Sequence, residues 1–314
     1  MQINIISPNF KSLAQQLTLK FPDITVILGD LQLESADILF GLPKLDRLSE
    51  LKQVKFVQLQ SAGYDFLFGK ENLGHIRFAS ASGAYNDSIS EHMLTMNLNL
   101  FRHFNLHRDY QNKSIWQKWS QVKPVKLIKG SSVLIVGLGQ IGGAYAKLVK
   151  QMGAHVIGLR RSNLAKPEYV DELYLSDKLE SILPLADVVA ISTPLDESTK
   201  HLFDKNMIDK MKDGSILINI GRGSIVDTEA LADALESGKL SGAALDVTDP
   251  EPLPTEHRLW KIESAIITPH CAGGSGKTGI REATERIFLA NVSKFLNGEQ
   301  LINEIDRENF LCKI

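Results

Sequence analysis

Four short segments carry residue types suited to chemistry. Arg222 sits between Gly221 and Gly223, directly after the apolar run Ile216–Ile220. An arginine fork grips a carboxylate through two parallel hydrogen bonds, and glycines let backbone approach a ligand closely. Glu251 lies among Pro250, Pro252 and Pro254. Prolines favour an extended chain, so this carboxylate is expected to be held in place. His270 closes the run Ile266, Ile267, Thr268, Pro269 and opens a small-residue loop from Cys271 to Gly274. The fourth segment is Gly137, Gly139 and Gly142, preceded by Val133–Val136 and followed by a helical pattern over residues 144–152. Strand, glycine turn and helix in that order cradle a dinucleotide pyrophosphate at the helix N-terminus. The combination suits proton-coupled hydride transfer with a nicotinamide dinucleotide. His270 would protonate a ketone oxygen in reduction and remove that proton in oxidation. Glu251, bonded to the far ring nitrogen, would favour the protonated ring. Arg222 would bind a substrate carboxylate and polarise the adjacent carbonyl. Each feature alone also fits a structural role: an ion-paired loop arginine, a proline-rich surface loop, or one packed histidine among eight. Cys271 reads as a small packing residue rather than a nucleophile. No metal site is expected.

These residues must be carried by strands that end at one sheet edge. Apolar strand runs alternate with helical patterns almost throughout, which predicts α/β architecture with doubly wound parallel sheets. Early strands are expected at Ile3–Ile6, Ile24–Leu28, Ile38–Phe40, Phe56–Leu59 and Ile76–Ala79, with a helix over Lys11–Leu19. A long helix is expected from Asp87 toward Tyr110. Later strands are expected at Val133–Val136, Val156–Leu159, Val188–Ile191, Ile216–Ile220, Ala243–Val247 and Ala265–Thr268, with right-handed crossovers. The glycine motif lies near mid-chain, so the first segment reads as a separate domain that the final helical run, Gly279–Leu296, rejoins. The expected division is residues 1–100 plus 286–314 for one, discontinuous domain and 101–285 for the NAD(P)-binding domain.

The 314 residues suit two domains. A formal charge of −2 offers no electrostatic case for nucleic acid or a membrane surface. Two cysteines, Cys271 and Cys312, suit a reducing compartment. Residues 1–7 read as a first strand rather than a signal peptide, and no apolar run approaches the ~20 residues of a membrane span. A cytoplasmic protein is expected.

The residue at the end of the second strand of such a motif selects the cofactor. An acidic residue there binds the adenosine ribose hydroxyls. Here the stretch is Gly158, Leu159, Arg160, Arg161, Ser162. Two arginines and a serine suit a 2′-phosphate, so NADP (NADPH) is expected in preference to NAD, with NAD still open. The same arginines also fit adenine stacking or solvent exposure.

The motifs together resemble the D-isomer-specific 2-hydroxyacid dehydrogenase family. They are residues 136–142, 218–227, 244–247 with 251–254, and 268–270, in the family's order, and the likeness spans roughly Val54 to Asn297. It implies two Rossmann-like domains with a hinge and a cleft, Arg222, Glu251 and His270 as the catalytic set, and a homodimer. It implies cofactor contacts from Gly137, Gly139, Gln140, Ile141, Gly142, Arg160, Arg161, Ser162, Thr193, Pro194 and Asp246, the last near the nicotinamide carboxamide or supporting the histidine. Residues 60–65 resemble the family's substrate loop, with Ala62, Gly63 and Tyr64 at the substrate; Tyr64 stands where the family commonly has a small aliphatic residue. Phe40–Pro43 is a second expected pocket edge. Trp116 or Trp119 would reach a neighbouring subunit or pack at its interface. The implied reaction is reversible reduction of a small-molecule 2-oxo acid to a D-2-hydroxy acid, from glyoxylate to bulky aromatic acids. A corepressor-like NAD(P)(H) sensor and a formate- or phosphite-type dehydrogenase fit the same residues.

Overall fold

A computed structural model describes residues 1–118, 124–162, 164–274 and 279–306. Trp119 and Cys312 lie outside them. The chain forms two units, Met1–Tyr85 with Gly276–Ile314, and Asn86–Ser275.

In the first unit, β1 (Gln2–Ile5), α1 (Lys11–Lys20), β2 (Thr25–Leu28), β3 (Ile38–Phe40), α2 (Leu45–Glu50), β4 (Phe56–Gln58) and β5 (Arg77–Ala79) follow in order. The strands form one parallel sheet, β2-β1-β3-β4-β5. Successive side chains of a strand point to opposite faces, and both faces of this sheet are covered. Phe40 and Phe56 enter one core while Leu39 and Val57 enter another. This is why the strands are continuous apolar runs rather than alternating ones.

The second unit begins with α3 (Asn86–Arg102) and α4 (Phe104–Asn112). It continues through β6 (Ser132–Val136), α5 (Gln140–Gln151), β7 (His155–Arg160), β8 (Glu172–Leu175), α6 (Leu179–Ile182), β9 (Val188–Ile191), α7 (Lys205–Lys210), β10 (Ser215–Asn219), α8 (Thr228–Glu236), β11 (Leu240–Leu245) and β12 (Ala265–Ile267). Its seven strands are all parallel, in the order β12-β11-β10-β9-β6-β7-β8. The order runs outward from β6 in both directions, which is the doubly wound arrangement. Leu134, Val189 and Leu217 fill one face and Val133, Val188 and Ile218 the other.

α9 (Ile280–Leu296) belongs to the first unit. Its Phe288 and Val292 are fully buried against Phe40 and Phe56. Asn291 donates to Gln58 Oε1 at 2.8 Å, and Glu304 pairs with Arg77 at 2.7 Å.

The break between units falls before α3, not near residue 100. Met93, Met96 and Leu100 of α3 are buried with Tyr145 and Val149 of α5, and Asn97 donates to the Tyr145 hydroxyl at 2.7 Å. The expected single helix is two, because His103 takes a left-handed conformation at φ 55°. No helix among the described residues is long and apolar enough to cross a membrane.

Candidate active site

All strands of the second sheet are parallel, so the loops after β6, β7, β9, β10, β11 and β12 leave from one edge. Ligands bind at that edge in open α/β sheets.

After β10, the buried Asn219 shapes the turn that carries Arg222. Its Oδ1 accepts from Gly221 N–H at 3.0 Å and its Nδ2 donates to the Arg222 carbonyl at 3.0 Å. Arg222 Nη1 donates to the Gly221 carbonyl at 2.8 Å. The flanking glycines answer a packing demand that sequence reasoning assigned to a ligand. A Cβ on Gly221 would lie 2.8 Å from the Thr193 carbonyl, and one on Gly223 would overlap the Thr248 carbonyl. Backbones of neighbouring loops close on them, and this fixes where Arg222 emerges.

After β11, the proline segment bends rather than extends, with cis bonds before Pro250 and Pro252. Thr228 Oγ1 donates to the Asp249 carbonyl at 2.7 Å, and Thr248 Oγ1 to the Pro250 carbonyl at 2.9 Å. The bend delivers Glu251 to His270: Oε1 lies 2.7 Å from Nδ1. Both side chains are roughly half exposed, at 44% and 49%. A carboxylate on Nδ1 keeps the proton there and leaves Nε2 as the nitrogen that faces chemistry. Among the described residues, Nε2 has no hydrogen-bond partner.

His270 itself sits at φ 51°. Left-handed backbone is uncommon outside glycine, so surrounding contacts must impose it. Asp246 imposes it. Its carbonyl accepts from His270 N–H at 2.8 Å. Its buried carboxylate accepts from Cys271 N–H and Ala272 N–H at 2.9 Å each and from Thr268 Oγ1–H at 2.6 Å. His92 of α3 reaches Thr268 Oγ1 through Nε2 at 3.1 Å. Since that hydroxyl gives its proton to Asp246, it accepts from His92. Asp246 was expected near the carboxamide or behind the histidine; its hydrogen bonds run to residues 268–272 of the histidine loop. Thr268 and His92 were not singled out as site residues. Cys271 departs from its expected packing role: its side chain is exposed, and its backbone does the anchoring.

At the glycine motif, Gly137 has φ 98°, and a Cβ there would lie 2.5 Å from Thr193 N. A Cβ on Gly142 would lie 2.6 Å from Ser192 Oγ and 2.9 Å from Ile135 Cγ2, so α5 can approach β6 only without one. A Cβ on Gly139 would meet nothing within 4 Å. Among the described residues, no side chain caps the α5 N-terminus. Open space beside uncapped amides fits a pyrophosphate. Gln140 accepts from Asn86 Nδ2 at 3.2 Å, Ile141 packs partly buried against the core that holds Val133 and Tyr145, and the Pro194 carbonyl accepts from Thr199 Oγ1 at 2.8 Å.

The two arginines at the end of β7 have partners of their own. Arg160 Nη2 donates to the Leu164 and Ala165 carbonyls, while its buried Nε has no partner among the described residues. Arg161 Nη1 donates to Asp196 Oδ2 at 2.5 Å. Ser162 is exposed and its carbonyl accepts from Leu164 N–H. An orphaned guanidinium nitrogen beside a second arginine suits an added phosphate.

In the first unit, Ala62, Gly63 and Tyr64 form the loop after β4. Ser61 Oγ donates to the Gly63 carbonyl at 2.8 Å, and the Tyr85 hydroxyl donates to the Gln60 carbonyl. Burial pushes the Tyr85 hydroxyl above its ordinary pKa, so it stays a donor. The Tyr64 ring meets Phe68 edge-on, with centroids 6.0 Å apart. Gly41, within the expected second pocket edge, lies where a Cβ would come 3.2 Å from Gln60 Nε2.

Residues 94–272 match the family model described as D-isomer specific 2-hydroxyacid dehydrogenase, NAD binding domain. A glyoxylate reductase of Thermococcus gammatolerans is 38% identical over 173 residues, 55% of this chain and 50% of that protein. The match thus spans about half the length of that relative. A D-isomer specific 2-hydroxyacid dehydrogenase family protein from Aeromonas salmonicida superposes with a TM-score of 0.85 at 28% identity, covering 98% of this chain and 99% of that one. A probable 2-hydroxyacid dehydrogenase from Rhizobium etli, solved with NADP, HEPES and L(+)-tartaric acid, gives 0.79 at 25% identity, with 98% of each chain covered.

Proposed function

We propose a specific reaction for this chain, which belongs to the D-isomer-specific 2-hydroxyacid dehydrogenase family of NAD(P)-dependent oxidoreductases: NADPH-preferring reduction of a small 2-oxo acid to the D-2-hydroxy acid. The observation that carries it is the His270–Glu251 pair at 2.7 Å, on the same sheet edge as Arg222 and the β6 glycine turn. The Thermococcus relative named a glyoxylate reductase supports a small acid.

The nicotinamide, once bound, supplies or accepts the hydride. The protein does the rest. Arg222 binds the substrate carboxylate and draws charge from the neighbouring carbonyl. His270 Nε2 gives its proton to the oxygen as negative charge develops there, while Glu251 holds Nδ1–H and stabilises the ring in its charged form. Asp246 and Thr268 keep the ring in position. Ala62, Gly63 and Tyr64 are proposed as the substrate loop, with backbone N–H of Gly63 for the carboxylate.

Arg160, Arg161 and Ser162 take the 2′-phosphate, and the Rhizobium relative solved with NADP supports that choice. The test is Arg160→Asp, read as the ratio of kcat/KM with NADPH to that with NADH. Loss of a charge-assisted phosphate contact should lower the ratio about tenfold or more. An unchanged ratio would reject the assignment. Two copies are proposed to pair through the segment that exposes Phe104 at 65%, Trp116 at 94% and Leu127 at 62%. Large exposed apolar side chains close in sequence suit an interface.

A further inference from the structure

β6 pairs with β7 on one side and β9 on the other, so the loops after β7 and β9 flank the glycine turn. One ion pair joins those two loops, Arg161 to Asp196 at 2.5 Å. Its partners differ in freedom. The Asp196 side chain is 18% exposed, whereas that of Arg161 is 59% exposed. Asp196 Oδ1 accepts from Ser198 N–H at 2.9 Å and from Ser198 Oγ–H at 2.6 Å. Its own N–H donates to Thr199 Oγ1 at 2.8 Å. Burial pushes its carboxyl up, but the Ser198 hydrogen bonds and the Arg161 charge outweigh this and hold it below the usual carboxylate range. The carboxylate is therefore fixed and ionised, and the guanidinium is the partner that can move.

We propose that Asp196 is a specificity-determining residue that competes with a 2′-phosphate for Arg161 and so tempers the preference for NADPH over NADH. This rests on reading Arg160, Arg161 and Ser162 as the 2′ site. A phosphate monoester carries about −1.5 to −2 charges and strong acceptor oxygens, so it draws a guanidinium to itself. To meet it, Arg161 must leave or share Asp196. A fixed, largely buried carboxylate then loses its counter-charge and faces a second anion, which costs free energy. NADH presents a hydroxyl at that place and makes no such demand on Arg161. The pair therefore weakens the binding of NADPH alone.

The test is titration of the full-length protein with NADPH and with NADH at one fixed ionic strength, for wild type, Asp196→Asn, Arg161→Ala and the double variant. Asp196→Asn keeps the side-chain shape and an acceptor for Ser198 while removing the charge; Asp196→Ser replaces it if the first variant does not fold. The expected result is NADPH binding tightened about three- to fivefold, the scale of an ion pair open to solvent on one side, with NADH unchanged within about twofold. In the Arg161→Ala background the Asp196 substitution should lose the part of its effect that comes from competition for the guanidinium, so the two substitutions should not be additive for NADPH. Equal or weaker NADPH binding in Asp196→Asn, or parallel changes for both cofactors, overturns the competition. If Arg161→Ala leaves the NADPH to NADH affinity ratio unchanged, the 2′-site reading fails, and the inference falls with it for that separate reason.

Discussion

Asp246→Asn is the most informative single substitution in the site, because it exchanges one heavy atom and leaves the shape intact. The Asp246 side chain is 2% exposed, and its carboxylate takes one hydroxyl and two backbone N–H donors. An asparagine has one acceptor oxygen. In its better orientation, Oδ1 still serves Thr268 and Cys271, and Nδ2 opposes the Ala272 N–H. One buried donor is then unpaired, at about 1–3 kcal/mol, and the two surviving bonds fall from charge-assisted to neutral strength, at about 1 kcal/mol each. Removing a buried charge returns part of this. A net loss of about 2–4 kcal/mol remains, which lowers Tm by about 5–15 °C for a unit of this size. The released loop carries His270 at its left-handed φ of 51°. A misplaced proton donor lowers kcat/KM about ten- to a hundredfold. Thermal melts and initial rates at one pH measure both effects, and NADPH titration checks that the dinucleotide site survives. A variant with wild-type Tm and wild-type kcat/KM would refute the claim that Asp246 positions the histidine.

His270→Ala should lower kcat by about 10²- to 10⁴-fold with cofactor affinity retained, since general acid–base catalysis contributes that much; full turnover, measured by NADPH oxidation, would remove His270 from its role. Gly137→Ala must place a Cβ 2.5 Å from Thr193 N at φ 98°, so dinucleotide affinity should fall at least tenfold, by about 1.4 kcal/mol or more in a direct titration. Asp187 gives a pH signature. Burial pushes its carboxyl up, but the Lys212 ammonium and the Ser132 N–H outweigh this and hold it below the usual range. A carboxyl lowered on folding stabilises the fold above its unfolded pKa of about 3.9 and loses that effect as pH falls through the folded value. Denaturant melts should therefore show Asp187→Asn less stable than wild type at neutral pH, with the gap closing in acid below pH ~4.

The central strands of both sheets were legible as apolar runs because both of their faces are buried. β8 was not, since Glu172, Leu173 and Tyr174 are half-buried and Leu175 is exposed at a sheet edge, where no continuous apolar run is required. The break at His103 left no trace either, because it rests on a positive φ at a residue other than glycine. In the site, Arg222, Glu251 and His270 stood out through their glycine, proline and strand-end neighbours. The support behind them did not. His92 reaches Thr268 across 176 residues, and no local spacing announces such a contact. Asp196 was equally hidden, since only the parallel order β7-β6-β9 brings its loop to Arg161. Gly221 and Gly223 were recognised for a ligand's sake, whereas tertiary packing against Thr193 and Thr248 is what demands them.

The most direct test of the account is initial rates of NADPH and NADH oxidation over 2-oxo acids from glyoxylate to phenylpyruvate, with the chirality of the product determined. Turnover that is faster with NADPH, and D-2-hydroxy acid from prochiral substrates, is the predicted result. Tight binding of the dinucleotide with no turnover of any acid would contradict it.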